Sequence, residues 1–251
     1  MNFNELTIIS GTDKFGNPEK VREITIKIGE IYTIIGFTGS GKSQLIRDIE
    51  QLSQGDTITK RRILMDGSLI DSKHRYIPEF KIVAYLTQNM NYITDMKCGD
   101  FLILRATSRK FMNPKENVIK IIETANSLCG EPILENMKLT SLSGGQSRAL
   151  MIADTAINAK SPIILIDEIE NAGIDKKKAM EILVDNNKIV LVVTHDPYLA
   201  LSGSKRIVML NGGMDKLIET SESEAKILDE LRKLNEYNLI VQRKLREGEA
   251  L

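Results

Sequence analysis

Between residues 31 and 52 the chain carries an order of features that few folds accommodate. A buried-type apolar run, Ile31-Tyr32-Thr33-Ile34-Ile35, is followed by Gly36-Phe37-Thr38-Gly39-Ser40-Gly41-Lys42-Ser43, and residues 43–52 then have helical spacing. The octapeptide fits the pattern G-x-x-x-x-G-K-[ST]. Its glycines let the backbone curl until several N–H groups face one anion, and the helix that begins there adds its positive end. In this pattern Lys42 reaches the β- and γ-phosphates of a nucleotide, and the Ser43 hydroxyl binds Mg²⁺. Such a loop needs a strand to enter it and a helix to leave it, which points to an α/β architecture.

The other apolar runs extend the same pattern. Residues 6–9 and 22–28 are expected as strands, with Ile24, Ile26 and Ile28 alternating with Thr25 and Lys27 as on a half-exposed sheet. Further strands are expected at 63–66, 81–86, 163–166 and 189–193. A final one is expected at 207–210, ended by Asn211-Gly212-Gly213. From about 94 to 139 the spacing turns helical, with helices at 101–104 and 118–128 and a breaker at Asn113-Pro114. Helices are also expected at 146–158 and 175–183. Strands alternating with helices imply a mainly parallel sheet covered on both faces. Near the C-terminus Ile227, Leu231, Leu234, Asn238, Val241 and Leu245 recur at alternating four- and three-residue steps, the spacing of a coiled-coil seam with one polar position. That helix either packs on its own domain or pairs with a partner.

Composition excludes several classes. Lys+Arg and Asp+Glu are both 34, so a chain living on nucleic acid is disfavoured and no nucleic-acid partner is expected. No apolar run approaches the ~18–20 residues of a membrane helix. The N-terminus, Met1-Asn2-Phe3-Asn4-Glu5, has no basic flank or apolar core of a secretory signal. Cys98 and Cys129 lack metal-ligand spacing and are expected as reduced thiols of a cytoplasmic protein.

Other strand ends carry chemistry. The run 163–166 ends in Asp167-Glu168, where Asp167 would hold Mg²⁺ and Glu168 would polarise an attacking water as general base. The run 189–193 leads to Thr194-His195-Asp196, and His195 there could donate to a γ-phosphate. Gln88 follows another strand and could meet Mg²⁺ or the water, while His74 lies in a polar run and is expected to be solvated. Leu142-Ser143-Gly144-Gly145-Gln146 is a polar, Gly-rich loop opening a helix.

Phosphate loop, Gln88, residues 142–146, Asp167-Glu168 and His195 occur in an order that resembles the ATP-binding cassette (ABC) ATPases over nearly residues 1–215. The resemblance implies a P-loop NTPase fold: a RecA-like core with a mainly parallel sheet, an antiparallel β edge and an inserted helical subdomain at about 92–158. The ABC domain would span 1–220, with a C-terminal helix over 221–251. It also implies two cassettes facing head to tail around two ATP molecules, with Mg²⁺. Each ATP would touch Gly36–Ser43 of one chain and Ser143, Gly144, Gly145 and Gln146 of the other. An aromatic that stacks on adenine is expected before the second strand, and Phe15 is the candidate.

The chain departs from the family's usual pattern in places. Ile169 follows Glu168 where Pro is usual, and the loop 170–175 is about one residue longer, although Asp175 can still serve as its aspartate. The stretch from Asp175 to His195 is short for a transporter cassette, and Ser147-Arg148-Ala149 replaces a usual Gln-Arg pair. Two functions follow from the resemblance. One is the ATP-binding subunit of a transporter with separate membrane subunits, held at the inner face of the cell membrane, with residues 89–93 lining the groove that receives them. The other is a soluble ABC ATPase that remodels or reactivates a protein client. DNA maintenance is disfavoured, because no long coiled-coil insertion or basic excess is present.

Overall fold

In the computed structural model, which describes residues 4–71, 75, 82–87, 92–159, 161–168, 174–184 and 188–250, the apolar runs become the inner strands of a six-stranded sheet. In chain order the strands are β1 (Glu5–Ile9), β2 (Glu23–Lys27), β3 (Ile31–Ile35), β4 (Arg62–Met65), β5 (Ser68–Leu69), β6 (Val83–Leu86), β7 (Ile163–Asp167), β8 (Ile189–Val193), β9 (Lys205–Leu210) and β10 (Gly213–Glu219). The helices are α1 (Lys42–Glu50), α2 (Cys98–Ser108), α3 (Pro114–Asn126), α4 (Gly144–Asn158), α5 (Lys176–Val184), α6 (Pro197–Ser202) and α7 (Glu222–Glu247).

The large sheet has the order β10-β9-β3-β8-β7-β6 and is parallel except for β10, which pairs antiparallel with β9. A separate antiparallel sheet has the order β2-β1-β4-β5. β8 is apolar throughout because both of its faces are covered. Ile163, Leu165, Ile189 and Leu191 pack with Leu45, Ile46 and Ile49 of α1 and with Leu6, Ile8, Ile24 and Ile26 of the small sheet. Ile164, Ile166, Val190 and Val192 pack on the other side with Leu150 and Ala153 of α4, Leu183 of α5 and Leu199 of α6. Each of these Val, Leu and Ile side chains contributes roughly 1.5–3 kcal/mol on burial.

One expectation needs correction. Residues 207–210 are not the final strand, since β10 follows after the Asn211-Gly212 turn. Its alternation is interrupted by a bulge between Met214 and Lys216, which hides the period of two. The expected break at Asn113-Pro114 does separate α2 from α3, and Pro114 is the first residue of α3, where a missing N–H costs nothing.

α7 starts with a capping box between Ser221 and Glu224 and ends at Gly248, with φ of 73°. Leu228 and Leu231 pack against the core. Ile227, Leu234, Tyr237, Ile240 and Leu245 are exposed, so the seam positions of the sequence are not buried together. Among the described residues no helix is long and apolar enough to cross a membrane.

Candidate functional site

The loops after β3, β8 and β7 leave the sheet side by side, because these strands are parallel neighbours. Two backbone bonds carry the ladder past the strand ends: Thr194 N–H donates to the Ile34 carbonyl at 3.3 Å, and Glu168 N–H to the Val193 carbonyl at 3.0 Å. Residues 36–43, Asp167-Glu168 and His195 therefore share one carboxyl edge of the sheet, the edge where open α/β sheets take ligands. Gln88, expected to join them from the end of β6, lies outside the described residues, as do residues 169–173 after Glu168, His74 and residues 89–91.

The loop before α1 depends on its glycines. Gly39 and Gly41 have φ of 76° and 101°, a region that side chains resist. A Cβ on Gly36 would stand 2.6 Å from the Met209 carbonyl oxygen, and one on Gly41 would stand 2.6 Å from Gly212 Cα. Lys42 folds back over the loop, its Nζ donating to the carbonyls of Gly36 at 2.8 Å and Phe37 at 3.2 Å. Burial pulls the Lys42 ammonium below its ordinary pKa, while the nearby charges of Glu168 and Asp167 act in the opposite direction. Ser40 Oγ is buried without a hydrogen-bond partner among the described residues. Ser43, Phe37, Thr38 and Gly39 are exposed.

The acidic end is more tightly held than the sequence indicates. Tyr85 on β6 donates its hydroxyl to Asp167 Oδ2 at 3.1 Å. Glu168 adopts φ of 49°, a left-handed conformation that costs a non-glycine residue roughly 1–3 kcal/mol. Its Oε1 lies 3.5 Å from His195 Nε2. Next to His195, Asp196 caps α6 by accepting from Leu199 N–H at 3.0 Å and takes Lys176 Nζ at 2.6 Å. The first residue of α5 is thus tied to the histidine loop. Sequence reasoning missed Tyr85 and Lys176. Tyr85 sits in an apolar strand where a core role is the ordinary expectation, and the Lys176–Asp196 pair spans two separate elements.

Residues 142–146 form the N-terminus of α4 with a complete capping box. Ser143 Oγ accepts from Gln146 N–H at 3.3 Å, and Gln146 Oε1 accepts from Ser143 N–H at 2.9 Å. Gln146 Nε2 also donates to the Pro132 carbonyl at 3.1 Å, so this buried amide is spent inside the chain rather than facing outward. Ser143 and Gly144 are exposed, and the capping box does not use the N–H groups of Gly144 and Gly145.

Phe15 is 69% exposed, with Lys14 Nζ 5.0 Å from its ring centroid. Asp13 Oδ1 holds its loop by accepting from the N–H groups of Phe15 at 2.9 Å and Asn17 at 2.8 Å.

The family model described as ABC transporter matches residues 20–171. An uncharacterized ABC transporter ATP-binding protein of Methanocaldococcus jannaschii is 54% identical, covering 100% of this chain and 96% of that protein. The chain belongs to the ATP-binding cassette family. The cassette is also 25% identical to a zinc import ATP-binding protein ZnuC of Rickettsia bellii, over 79% of each chain. Its fold is similar to the dimeric, ADP- and Pi-bound cassette MJ0796, with a TM-score of 0.64 and 22% identity, covering 86% of this chain and 99% of that one. It is equally similar to cbiO1 of Clostridium perfringens, part of the transporter complex cbiONQ, with a TM-score of 0.65 and 22% identity over 98% and 100% of the two chains.

Proposed function

We propose that the chain hydrolyses ATP with Mg²⁺, closing head to tail with a second copy around two nucleotides, as the ATP-binding subunit of a transporter. The observation that carries this reading is the shared carboxyl edge of β3, β8 and β7, which gathers Lys42, Ser43, Asp167, Glu168 and His195. The residues fit a magnesium nucleotide. Gly36 and Gly41 of the cradle leave no room for a Cβ, Ser40 Oγ is a buried polar atom with no hydrogen-bond partner among the described residues, and Ser43 and Asp167 offer hard oxygen ligands. Gln88 is proposed as a further ligand. Bound there, Mg²⁺ would neutralise charge on the β- and γ-phosphate oxygens.

Within this reading the chain's own groups divide the work. The backbone amides of residues 36–43 hold phosphate oxygens, and Lys42 exchanges its two carbonyl partners for the β- and γ-phosphates. Glu168 accepts the proton of the attacking water, and His195 donates to the γ-phosphate. Phe15 stacks on the base. Ser143, Gly144 and Gly145 serve the nucleotide of the other copy, with Gln146 fixing their loop.

Support for the transporter role comes from the relatives, named as ATP-binding proteins of ABC transporters. Separate polypeptides would then supply the membrane part, and the chain would sit at its cytoplasmic face. The exposed apolar residues of α7 favour a second reading, a soluble protein client. Native membrane fractionation separates the two: a wholly soluble chain with a soluble partner would overturn the transporter role.

The shared site is tested by mixing. Chains with Lys42→Ala and chains with Ser143→Arg are each expected to be inactive, and their mixture to recover part of the ATPase activity through one intact composite site. No recovery at any ratio would exclude sites shared between copies. Glu168→Gln is expected to bind ATP, lose at least about 100-fold in turnover and accumulate as an ATP-dependent dimer. A monomer at saturating ATP would contradict the head-to-tail arrangement.

A further inference from the structure

The loop that carries Phe15 and the loop before α1 rest on the same turn, Asn211-Gly212, between β9 and β10. Lys14 N–H donates to the Asn211 carbonyl at 2.9 Å on one side, and Gly212 N–H donates to the Ser40 carbonyl at 2.8 Å on the other. Both turn residues have positive φ, 52° and 86°. The contacts have no slack. A Cβ on Gly212 would lie 3.0 Å from Lys14 N and 3.3 Å from Lys14 Cβ, whereas a Cβ on Gly41 would strike the turn itself.

Buried charge holds the turn from beneath. Arg61, 0% exposed, donates to the Gly212 carbonyl at 2.8 Å. Its other N–H groups reach Glu19 at 2.5–3.1 Å and Asp48 of α1 at 2.8 Å. Glu19 in turn accepts from Gly11 N–H at 2.8 Å and Met214 N–H at 2.7 Å. One guanidinium therefore joins Glu19 in the segment after Phe15, the turn, and the helix behind the phosphate loop. A recess of about 240 Å³, lined in part by Asp13, Asn17, Glu19, Asn211, Gly213 and Asp215, runs beside the turn. Polar bonds rather than dense packing fix the turn on that side. Buried ion pairs add little net stability over an apolar filling, but their geometry is unforgiving, because removing one partner strands the other.

We propose that the Asn211-Gly212 turn is the spacer that sets the distance from the base platform at Phe15 to the phosphate loop, with Arg61 as its buried positioning residue. It makes the site select a base-bearing triphosphate over a bare one, and it rests on the nucleotide reading given above. The substitution Gly212→Ala is a wedge directed at Lys14, whose N and Cβ lie nearest the new Cβ, added at a turn residue with φ of 86°.

The experiment compares binding of ATP and of inorganic tripolyphosphate by calorimetry, for the full chain and for Gly212→Ala. The wild type is expected to bind ATP more tightly than tripolyphosphate. Gly212→Ala is expected to weaken ATP about tenfold, the cost of misplacing a bound group, and to leave tripolyphosphate unchanged. In a Phe15→Ala background the Gly212→Ala effect on ATP is expected to vanish. Asp13→Ala, on the exposed loop, provides the same comparison if Gly212→Ala fails to fold. Equal weakening of both ligands, or a wild type that binds them equally, would overturn the spacer and leave the nucleotide site standing. A wild type that binds neither would overturn the nucleotide reading instead.

Discussion

The hydroxyl of Tyr85 donates to Asp167 Oδ2 at 3.1 Å, joining two neighbouring parallel strands just where one of them ends in carboxylates. Burial, and then the charge of Asp167, pushes the phenol well above its ordinary pKa, so it remains a donor at any working pH. One Asp167 oxygen is thereby fixed. Tyr85→Phe is expected to leave ATP binding without Mg²⁺ unchanged and to raise the Mg²⁺ needed for half-maximal ATPase activity by roughly tenfold, about the 1.4 kcal/mol of one hydrogen bond to a charged group. A Mg²⁺ titration identical to wild type would remove Tyr85 from this role.

Lys176 and Asp196 form a 2.6 Å ion pair, each about four-fifths buried, that ties α5 to the residue after His195. Lys176→Met should free that loop while Asp196 still caps α6. The expected result is a several-fold drop in kcat with little change in KM. Asp196→Asn should add no further loss in the double variant, as partners in one contact are non-additive. Full additivity in the kinetic cycle would mean the pair does not act as a unit.

Gly144 has open space around the position a Cβ would take. Gly144→Ala therefore fits the isolated chain and is expected to hold or raise Tm, since alanine favours a helix over glycine by up to about 1 kcal/mol. If the amide end of α4 meets a phosphate on another chain, the same methyl will impede ATP-driven dimerisation of a Glu168→Gln background. Light scattering with and without ATP reads this; an unaffected dimer would place Gly144 away from the contact.

Lys188 is buried and donates to the Ala159 carbonyl at 2.7 Å. Burial, reinforced by the like charge of Arg109, pulls its pKa from 10.5 down to about 8. An unfolded chain recovers the higher value, so between about 8 and 10.5 it holds more protons than the folded one. Stability should accordingly rise with pH through that window and show no Lys188 slope below it, by at most about 3 kcal/mol in total. Lys188→Met should lose this rise. Denaturant unfolding of both proteins at pH 7.5 and 9.5 tests it, and a constant difference between them would disprove the linkage.

What is legible in the sequence is local. Gly36–Ser43 announces a strand-loop-helix unit, because its glycines and Lys42 are contiguous and their backbone demands are specific. Asp167-Glu168 and His195 stand out because each ends an apolar run. The order β10-β9-β3-β8-β7-β6 is not legible: periodicity says which residues are buried, not which strands pair. The same limit hides Arg61. Nothing in Lys60-Arg61-Arg62 distinguishes the middle residue, yet it is fully buried against Glu19 and Asp48, partners that lie far away in the chain. The seam spacing of α7 misleads in its own way, since Leu231 serves the chain's own core while Leu234 does not.

The capping box at Ser143 and Gln146 is completed within one chain, with Pro132 bracing it from behind. The ordering entropy of that helix end is therefore spent during folding and not at the moment of encounter. An anion arriving there would meet fixed dipoles that need no rearrangement, so in the proposed head-to-tail arrangement the approach would be a docking of two finished surfaces rather than a mutual folding.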